Sequence, residues 1–209
     1  MSDNHRADFL REFLRDPFTV AAVAPSGRPL ADLVTAPVPG VGEPLVVELG
    51  PGTGAFTAAI QRRLAGRGHH LAVEVNERFA GLLAARYPRL DVAVADARDL
   101  GDVLAQRGHG RADVIVSGLP WAAFAGGQQD ELLHAVTDAL TPDGAFTTFG
   151  YTFARWTPPA QRLRRALGDR FEEVVTGRTV WANVPPAFVY SCRRPRVTAR
   201  PRALVSLSR

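Results

Sequence analysis

The residues best placed to do chemistry form a glycine-rich turn, Gly50-Pro51-Gly52-Thr53-Gly54, directly after a short, mostly apolar run at 46–49. Such a run predicts a buried strand of a parallel sheet. The glycines let the chain turn sharply and let a ligand approach main-chain N–H groups that a Cβ would shield. Residues 55–64 have the composition and apolar periodicity of a helix. The segment therefore predicts a strand, a ligand-binding turn and a helix.

Acidic residues near this turn indicate which class of ligand it binds. By itself the turn fits a plain loop or a dinucleotide site. Glu48 lies just before the first glycine, where a dinucleotide site usually keeps an apolar residue, and Pro51 stiffens the turn. Glu74 ends another predicted strand, where its carboxylate can accept both hydroxyls of a ribose. The combination resembles the S-adenosylmethionine site of class I methyltransferases, with a nicotinamide site or a purely structural turn as alternatives.

This resemblance implies S-adenosylmethionine as the cofactor, bound beyond the carboxyl ends of the strands. Asp96 would accept the exocyclic amine of adenine, and the Ala97 N–H would donate to a ring nitrogen. Alternatively, Asp96 caps the helix that follows it. The expected cofactor-binding residues are Glu48, Gly50, Pro51, Gly52, Gly54, Glu74, Val75, Asp96, Ala97 and Ser117.

The segment Ser117-Gly118-Leu119-Pro120-Trp121 is the second candidate for chemistry. It resembles the Asn-Leu-Pro-Tyr type of tetrapeptide, with which amine-methylating enzymes present main-chain carbonyls to the nucleophilic nitrogen. Because the asparagine is missing, the carbonyl of Ser117 or Gly118 would have to accept that N–H. Trp121 would attract a cationic amine by a cation–π interaction, or else be an ordinary core aromatic.

Tyr151, at the end of a later predicted strand, completes the expected catalytic set. It would orient the amine or accept its proton through water, with ordinary packing as the alternative. The expected catalytic residues are Ser117, Gly118, Leu119, Pro120, Trp121 and Tyr151.

Alternating strands and helices must position these residues. Together with the resemblance, they predict an α/β, Rossmann-like class I methyltransferase fold with a seven-stranded, mostly parallel sheet and one antiparallel strand. Helices are predicted at 27–35, 77–86, 100–106, 131–140 and 159–167. Strands are predicted at 71–75, 91–95, 113–116 and 144–150, and a final antiparallel hairpin at 171–181 and 186–193, joined through Asn183 and Pro185.

The N-terminal extension, 1–44, precedes a methyltransferase domain at 45–194 and a flexible tail at 195–209. Residues 3–16 have the periodicity of an amphipathic helix, with phenylalanines and leucines on one face and arginines around it. This helix would pack on the domain, lie in a membrane interface, or do both as a lid over the site.

Bulk properties limit the class of protein. The 209 residues, 46% hydrophobic and 22% charged, suit one globular α/β domain. The net charge is +4, and all 25 basic residues are arginines, which suit phosphate recognition but also fit a genomic bias in composition. The single cysteine and the scattered histidines predict no disulfide and no metal site. Without a signal or membrane-spanning segment, we expect a cytoplasmic protein, with peripheral association to the inner face of the membrane left open.

The wider resemblance is to bacterial phospholipid N-methyltransferases. Matches lie at 13–26, Glu48–Gly54, Ser117–Trp121 and Arg178–Ala187 and so span nearly the whole chain. The resemblance implies stepwise methylation of phosphatidylethanolamine at an anionic membrane surface, by in-line transfer to a neutral amine. Ribosomal RNA adenine dimethyltransferases share the first strands but usually carry a further helical domain, so nucleic acid is not the expected partner. The alternatives are a soluble amine or an RNA adenine as substrate, or a non-catalytic S-adenosylmethionine-binding membrane module.

Overall fold

The computed structural model describes residues 27–196, which form a seven-stranded sheet flanked by helices. The predicted helix at 3–16 and the end of the tail lie outside the described residues. The helices are α1 Arg28–Val34, α2 Thr57–Leu64, α3 Glu77–Arg86, α4 Leu100–Gln106, α5 Gly126–Ala139 and α6 Pro158–Arg170. The strands are β1 Leu45–Leu49, β2 His69–Glu74, β3 Asp91–Val94, β4 Ala112–Ser117, β5 Leu140–Tyr151, β6 Phe171–Thr176 and β7 Ala187–Pro195.

The strand order is β3-β2-β1-β4-β5-β7-β6. Strands β1 to β5 are parallel to one another, whereas β7 is antiparallel to both β5 and β6. The predicted seven-stranded sheet with one antiparallel strand is therefore confirmed, as is the pairing of the final two strands.

Successive residues of the central strands enter different cores. Val47 and Leu49 of β1 pack into a core that includes residues of α4, α5 and α6, whereas Val46 packs with residues of α1 and α2. The alternation follows from the period of two along a strand, and both faces are apolar because helices cover both. All five residues of β1 are buried, so the turn that follows starts from a rigid base.

Four predicted boundaries were wrong by three to five residues. Strand β5 begins at Leu140 rather than at residue 144, and helix α6 ends at Arg170 rather than at residue 167. Helix α5 begins at Gly126 rather than at residue 131. The side chain of Gln128 accepts the N–H of Ala125 at 3.1 Å, and this cap offsets the low helix propensity of Gly126 and Gly127. Strand β6 ends at Thr176 rather than at Trp181. A connection at 177–186 follows it and keeps only an isolated bridge between Val180 and Ala187, since the prolines near its end cannot donate to a ladder.

No helix within residues 27–196 combines the length and apolarity that are needed to cross a bilayer.

Candidate active site

The glycine turn and the 117–121 segment leave the sheet side by side. Strands β1 and β4 are neighbours, and Leu49 pairs with Ser117 at their carboxyl ends. The chain passes from β1 towards β2 and β3 on one side and continues with β4 and β5 on the other. Ligands of open α/β sheets bind at such a reversal of strand order, so we place the ligand crevice beyond the carboxyl ends of β1 and β4, next to these two segments.

The two segments interlock through their backbones. The Gly118 N–H donates to the Leu49 carbonyl at 2.8 Å, and a Cβ at Gly118 would lie 2.6 Å from the Gly50 carbonyl oxygen. A Cβ at Gly50 would in turn lie 2.7 Å from Cδ2 of Leu119. Glycine is needed at Gly118 because the obstacle there is backbone, whereas at Gly50 the obstacle is the end of the Leu119 side chain, which would have to shift.

The turn itself also requires glycine for its backbone conformation. Gly50, Gly52 and Gly54 have φ values of +64°, +52° and +85°. No atom lies within 4 Å of the Cβ position of Gly52, whereas that of Gly54 is closed off by Leu83 at 3.0 Å. Gly52 therefore presents an open main-chain face at which a ligand can approach.

Glu74 binds the middle of this turn. Its Oε2 accepts the Gly52 N–H at 3.0 Å and its Oε1 accepts the Asn76 N–H at 2.9 Å. Burial raises the pKa of this carboxyl above its usual value near 4.5, although the backbone donors act in the opposite direction. Each oxygen keeps a second lone pair, so the carboxylate can still accept a hydroxyl.

Glu48 lies beneath the turn and is fully buried. Its Oε2 accepts the Thr57 hydroxyl at 2.7 Å and lies 3.2 Å from Nε2 of His70. The amide nitrogen of Gln61 is 2.9 Å from Nδ1 of His70, whereas Nε2 of His70 has no hydrogen-bond partner within the described residues. Within residues 27–196, Oε1 of Glu48 has no hydrogen-bond partner. This buried acceptor is therefore available to a donor.

Asp96 forms the helix cap that the sequence offered as the alternative. Its Oδ1 accepts the Arg98 N–H at 2.9 Å, and the Arg98 guanidinium contacts both carboxylate oxygens. Burial raises the pKa of Asp96, but hydrogen bonds from Arg98 outweigh it and hold the pKa below the usual range. Ala97 is buried beside it, while the side chains of Val75 and Val94 are exposed at the ends of neighbouring strands.

Trp121 is buried in the core, which favours the alternative of a core aromatic over a cation–π role. The ring is 2% exposed and packs edge-on against Phe124 and Phe146 in the core. Its Nε1 donates to Oγ of Ser117 at 3.0 Å. A buried site suits tryptophan when it provides one acceptor for the indole N–H. Trp121 is therefore the core aromatic that the sequence analysis gave as the alternative.

The carbonyls of the 117–121 segment differ in their partners. Those of Ser117, Leu119 and Pro120 accept from Thr148 Oγ1, the Trp121 N–H and the Ala123 N–H, respectively. Among the described residues nothing donates to the carbonyl of Gly118, which is half-buried. Of the two carbonyls that the sequence proposed for the nucleophile, that of Gly118 is the one without a donor within residues 27–196.

Tyr151 is half-buried between aromatic rings. It packs edge-on against Phe149 and stacks on Phe153, with centroids 5.5 Å and 5.7 Å away. Burial raises the pKa of its hydroxyl above the usual value near 10. The hydroxyl is therefore protonated at neutral pH and can orient a ligand, but it does not supply a phenolate base.

Four residues of this region were not anticipated as parts of the site. Thr57, Gln61 and His70 surround Glu48, and Arg98 holds Asp96. The position of Arg98, two residues after Asp96, is a local signal that was available in the sequence. The other three come together only through the packing of α2 on the sheet, so spacing along the chain does not reveal them.

Comparison with known proteins agrees with this geometry. The family model described as a methyltransferase domain matches residues 46–144. A Thermotoga maritima S-adenosylmethionine-dependent O-methyltransferase superposes with a TM-score of 0.62 at 15% identity, covering 90% of this chain and 73% of that one. Human methyltransferase-like protein 13, in complex with SAH, gives a TM-score of 0.58 at 18% identity, covering 83% and 81%. The fold and the site define a class I methyltransferase that uses S-adenosylmethionine.

A curated relative narrows the class further. The ornithine lipid N-methyltransferase of Singulisphaera acidiphila is 35% identical over 188 residues, which cover 88% of this chain and 94% of that protein. At this identity and coverage, the chain belongs to the bacterial lipid N-methyltransferases.

Proposed function

We propose that this enzyme transfers methyl groups from S-adenosylmethionine to the amino nitrogen of a membrane lipid head group. The observation that supports this most directly is the Gly118 carbonyl beside the glycine turn, to which nothing donates in the described part of the chain. An acceptor at that place can hold an amine N–H while the nitrogen lone pair points into the crevice.

The residues around the turn fit the cofactor. Glu74 would accept the ribose hydroxyls, and Gly52 offers an open main-chain face. The partner-free Oε1 of Glu48 would accept a donor such as the cofactor's ammonium group. The exposed side chains of Val75 and Val94 would flank the adenine, with Asp96 and Ala97 next to them. When bound, S-adenosylmethionine supplies an electrophilic methyl group.

The chain's own contribution is to position the amine and exclude water. Proximity and orientation of two reactants can lower a barrier by about 7–11 kcal/mol. The Gly118 carbonyl would fix one N–H, and the protonated hydroxyl of Tyr151 would help to orient the head group. The nucleophile must be the neutral amine, because a protonated ammonium has no lone pair to donate.

Two head groups fit these requirements. Phosphatidylethanolamine follows from the sequence resemblance, and ornithine lipid is the substrate named for the 35% identical relative. Both are lipids, so we also propose that the enzyme works as a peripheral protein at the inner face of the cell membrane. The predicted helix at 3–16 would serve there as anchor and lid.

Radiolabelled S-adenosylmethionine tests the proposal directly. The enzyme is incubated with vesicles that contain phosphatidylethanolamine or ornithine lipid, with free ethanolamine or ornithine, and with RNA. We expect label in the lipid fraction of at least one vesicle type and none in RNA. Label confined to RNA or a free amine would contradict lipid methylation, and cofactor binding with no transfer to any acceptor would indicate a non-catalytic module.

A further inference from the structure

Large apolar side chains stand exposed at the same edge of the sheet as the active site. Phe153, Trp156, Trp181 and Val184 are 72%, 74%, 75% and 71% exposed. We call these four residues the aromatic rim. Water-exposed tryptophans are uncommon, and the remaining tryptophan, Trp121, is 2% exposed. Side chains of this kind on an open surface indicate an interaction site.

The aromatic rim is made of two segments that are tied together. Phe153 and Trp156 follow the carboxyl end of β5, and Trp181 and Val184 lie in the connection that leads into β7. The backbone N–H and the hydroxyl of Thr152 both donate to the Pro186 carbonyl at 2.9 Å. Tyr151 also pairs with Ala187 at the same end of the sheet. The rim is therefore one surface rather than two unrelated loops.

This surface lies next to the crevice. Strand β5 is the parallel neighbour of β4, and the hydroxyl of Thr148 on β5 donates to the Ser117 carbonyl at 3.3 Å. Phe153 stacks directly on Tyr151, which lies at the end of β5. A binding partner that covers the rim would consequently reach the place where the amine has to enter.

The two segments that carry the rim, 152–157 and 177–186, contain no acidic residue. The sequence contains no Asp or Glu between Asp143 and Asp169, and none after Glu173. Arg155 and Arg178 are exposed on the rim segments, and Arg164 is exposed on α6. Arg162 and Arg165 of α6 are also exposed, but they lie with Asp130 and Asp169 around a cleft between α5 and α6. The Arg155 guanidinium lies 5.6 Å from the ring centre of Trp156 and 5.4 Å from that of Phe188. Aromatic side chains interleaved with arginines are complementary to an anionic lipid surface.

We propose that the aromatic rim is the surface by which the enzyme docks on an anionic bilayer. The inference rests on the proposed lipid substrate and adds the orientation of the enzyme on the membrane. Trp156 and Trp181 enter the head-group region, where an indole keeps its ring in an apolar layer and its N–H in a polar one. The arginines contact lipid phosphates, and the crevice beyond the carboxyl ends of β1 and β4 opens towards the bilayer.

The two exposed tryptophans are built-in reporters for the test. Vesicles of phosphatidylglycerol and phosphatidylethanolamine are titrated into the full-length protein while tryptophan emission and co-sedimentation are followed. We expect a blue shift and salt-sensitive binding. The double variant Trp156→Ser/Trp181→Ser should bind vesicles about tenfold or more weakly. Val41→Ser removes a side chain that is 79% exposed in the connection entering the opposite end of β1, and should leave binding unchanged.

Two further measurements separate this inference from the proposed function. The double variant should keep wild-type affinity for S-adenosylmethionine and wild-type turnover of lipid dispersed in detergent, where docking on a bilayer is not required. Loss of turnover in detergent as well, with vesicle binding intact, would mean that the rim serves the active site and not the bilayer. Equal vesicle binding by wild type and double variant, or no binding by wild type, would overturn the inference.

The rim could be covered by another partner, and the same protein samples test this. Iodide in solution should quench Trp156 and Trp181 in the free protein, because they are expected to be open to water. Resistance to iodide would show that another part of the chain already covers the rim, and the inference would fail. Rim-dependent RNA binding without vesicle binding would also overturn it.

Discussion

At the scale of single residues, Glu74 has two tasks. It holds the Gly52 and Asn76 N–H groups, and it is the residue proposed to bind the ribose. We expect Glu74→Ala to weaken S-adenosylmethionine binding by about 1.5–3 kcal/mol, because hydrogen bonds to a charged group are lost. This corresponds to roughly a tenfold to hundredfold higher Kd, measurable by calorimetry. Glu74→Gln keeps one acceptor oxygen, so its Kd should lie between those of the wild type and Glu74→Ala. An unchanged Kd in Glu74→Ala would show that the residue is misassigned.

The raised pKa of Glu74 predicts how cofactor affinity depends on pH. Ribose hydroxyls donate to the ionised carboxylate, so binding should weaken as the pH falls from 7.5 and passes the pKa of the free protein, which lies above 4.5. Protonation of Glu74, which weakens cofactor binding, stabilises the fold of the free protein. Because the folded state binds the proton more tightly than the unfolded chain, its contribution to stability is full below the ordinary pKa and is lost as pH rises through the raised one.

Calorimetric titrations between pH 7.5 and 5 check this dependence. Glu74→Gln cannot ionise at this position, so its affinity should change less over that range. If wild type and Glu74→Gln have the same pH slope, another group is responsible for the proton linkage.

At the scale of elements, the glycine turn and the 117–121 segment form one interlocked unit. Gly50→Ala should destabilise the fold, since alanine in a left-handed conformation costs about 1–2 kcal/mol and its Cβ would meet Leu119 at 2.7 Å. Leu119→Ala in the same chain removes the contact but not the backbone cost. The loss in the free energy of unfolding of the double variant should therefore be about 1 kcal/mol smaller than the sum of the two single losses, as measured by urea unfolding.

Gly52→Ala is the matched control for this coupling. It has a similar backbone conformation, with φ +52°, but no neighbour within 4 Å. Its effect should simply add to that of Leu119→Ala. If the effects of Gly50→Ala and Leu119→Ala were also additive, the two segments would not constrain each other.

Local pattern was enough to predict most elements of this fold. The apolar run at 46–49 and the glycines after it specify β1 and the turn, because both their burial and their backbone conformation follow from residue type. The boundaries of α5 and β6 could not be predicted in the same way. They depend on the capping side chain of Gln128 and on which residues find partners across the sheet.

The side-chain arrangement of the site was predicted less well than its location. That the strand ends converge follows from topology alone, and the ends of β1, β2 and β4 do lie together. Whether Trp121 faces solvent or core depends on the path of the backbone after Ser117 and on the space beside Phe146, and neither can be read from the tetrapeptide. The carbonyl left free at Gly118 likewise depends on contacts made by distant residues such as Thr148.

At the scale of the whole molecule, the crevice joins two halves of one sheet. The β1–β3 half supplies the turn, Glu74 and Asp96, and the β4–β7 half supplies Gly118, Tyr151 and the aromatic rim. A cofactor bound at the first half would also lie next to the second, because Gly50 is in close contact with Gly118 and Leu119. Cofactor binding should therefore stabilise the fold as a whole.

Thermal unfolding measures this stabilisation. A ligand at a hundred times its Kd adds about 2.7 kcal/mol to the free energy of unfolding, which for a chain of this size should raise Tm by roughly 5–10 °C. S-adenosylmethionine and its demethylated product should both give this shift, and a nicotinamide dinucleotide should give none. In Glu74→Ala the same concentration of S-adenosylmethionine should give a clearly smaller shift, because the ligand no longer greatly exceeds its Kd. A shift with the dinucleotide alone would place a different nucleotide in the crevice and would contradict the assigned roles of Glu48, Glu74 and Gly118 together.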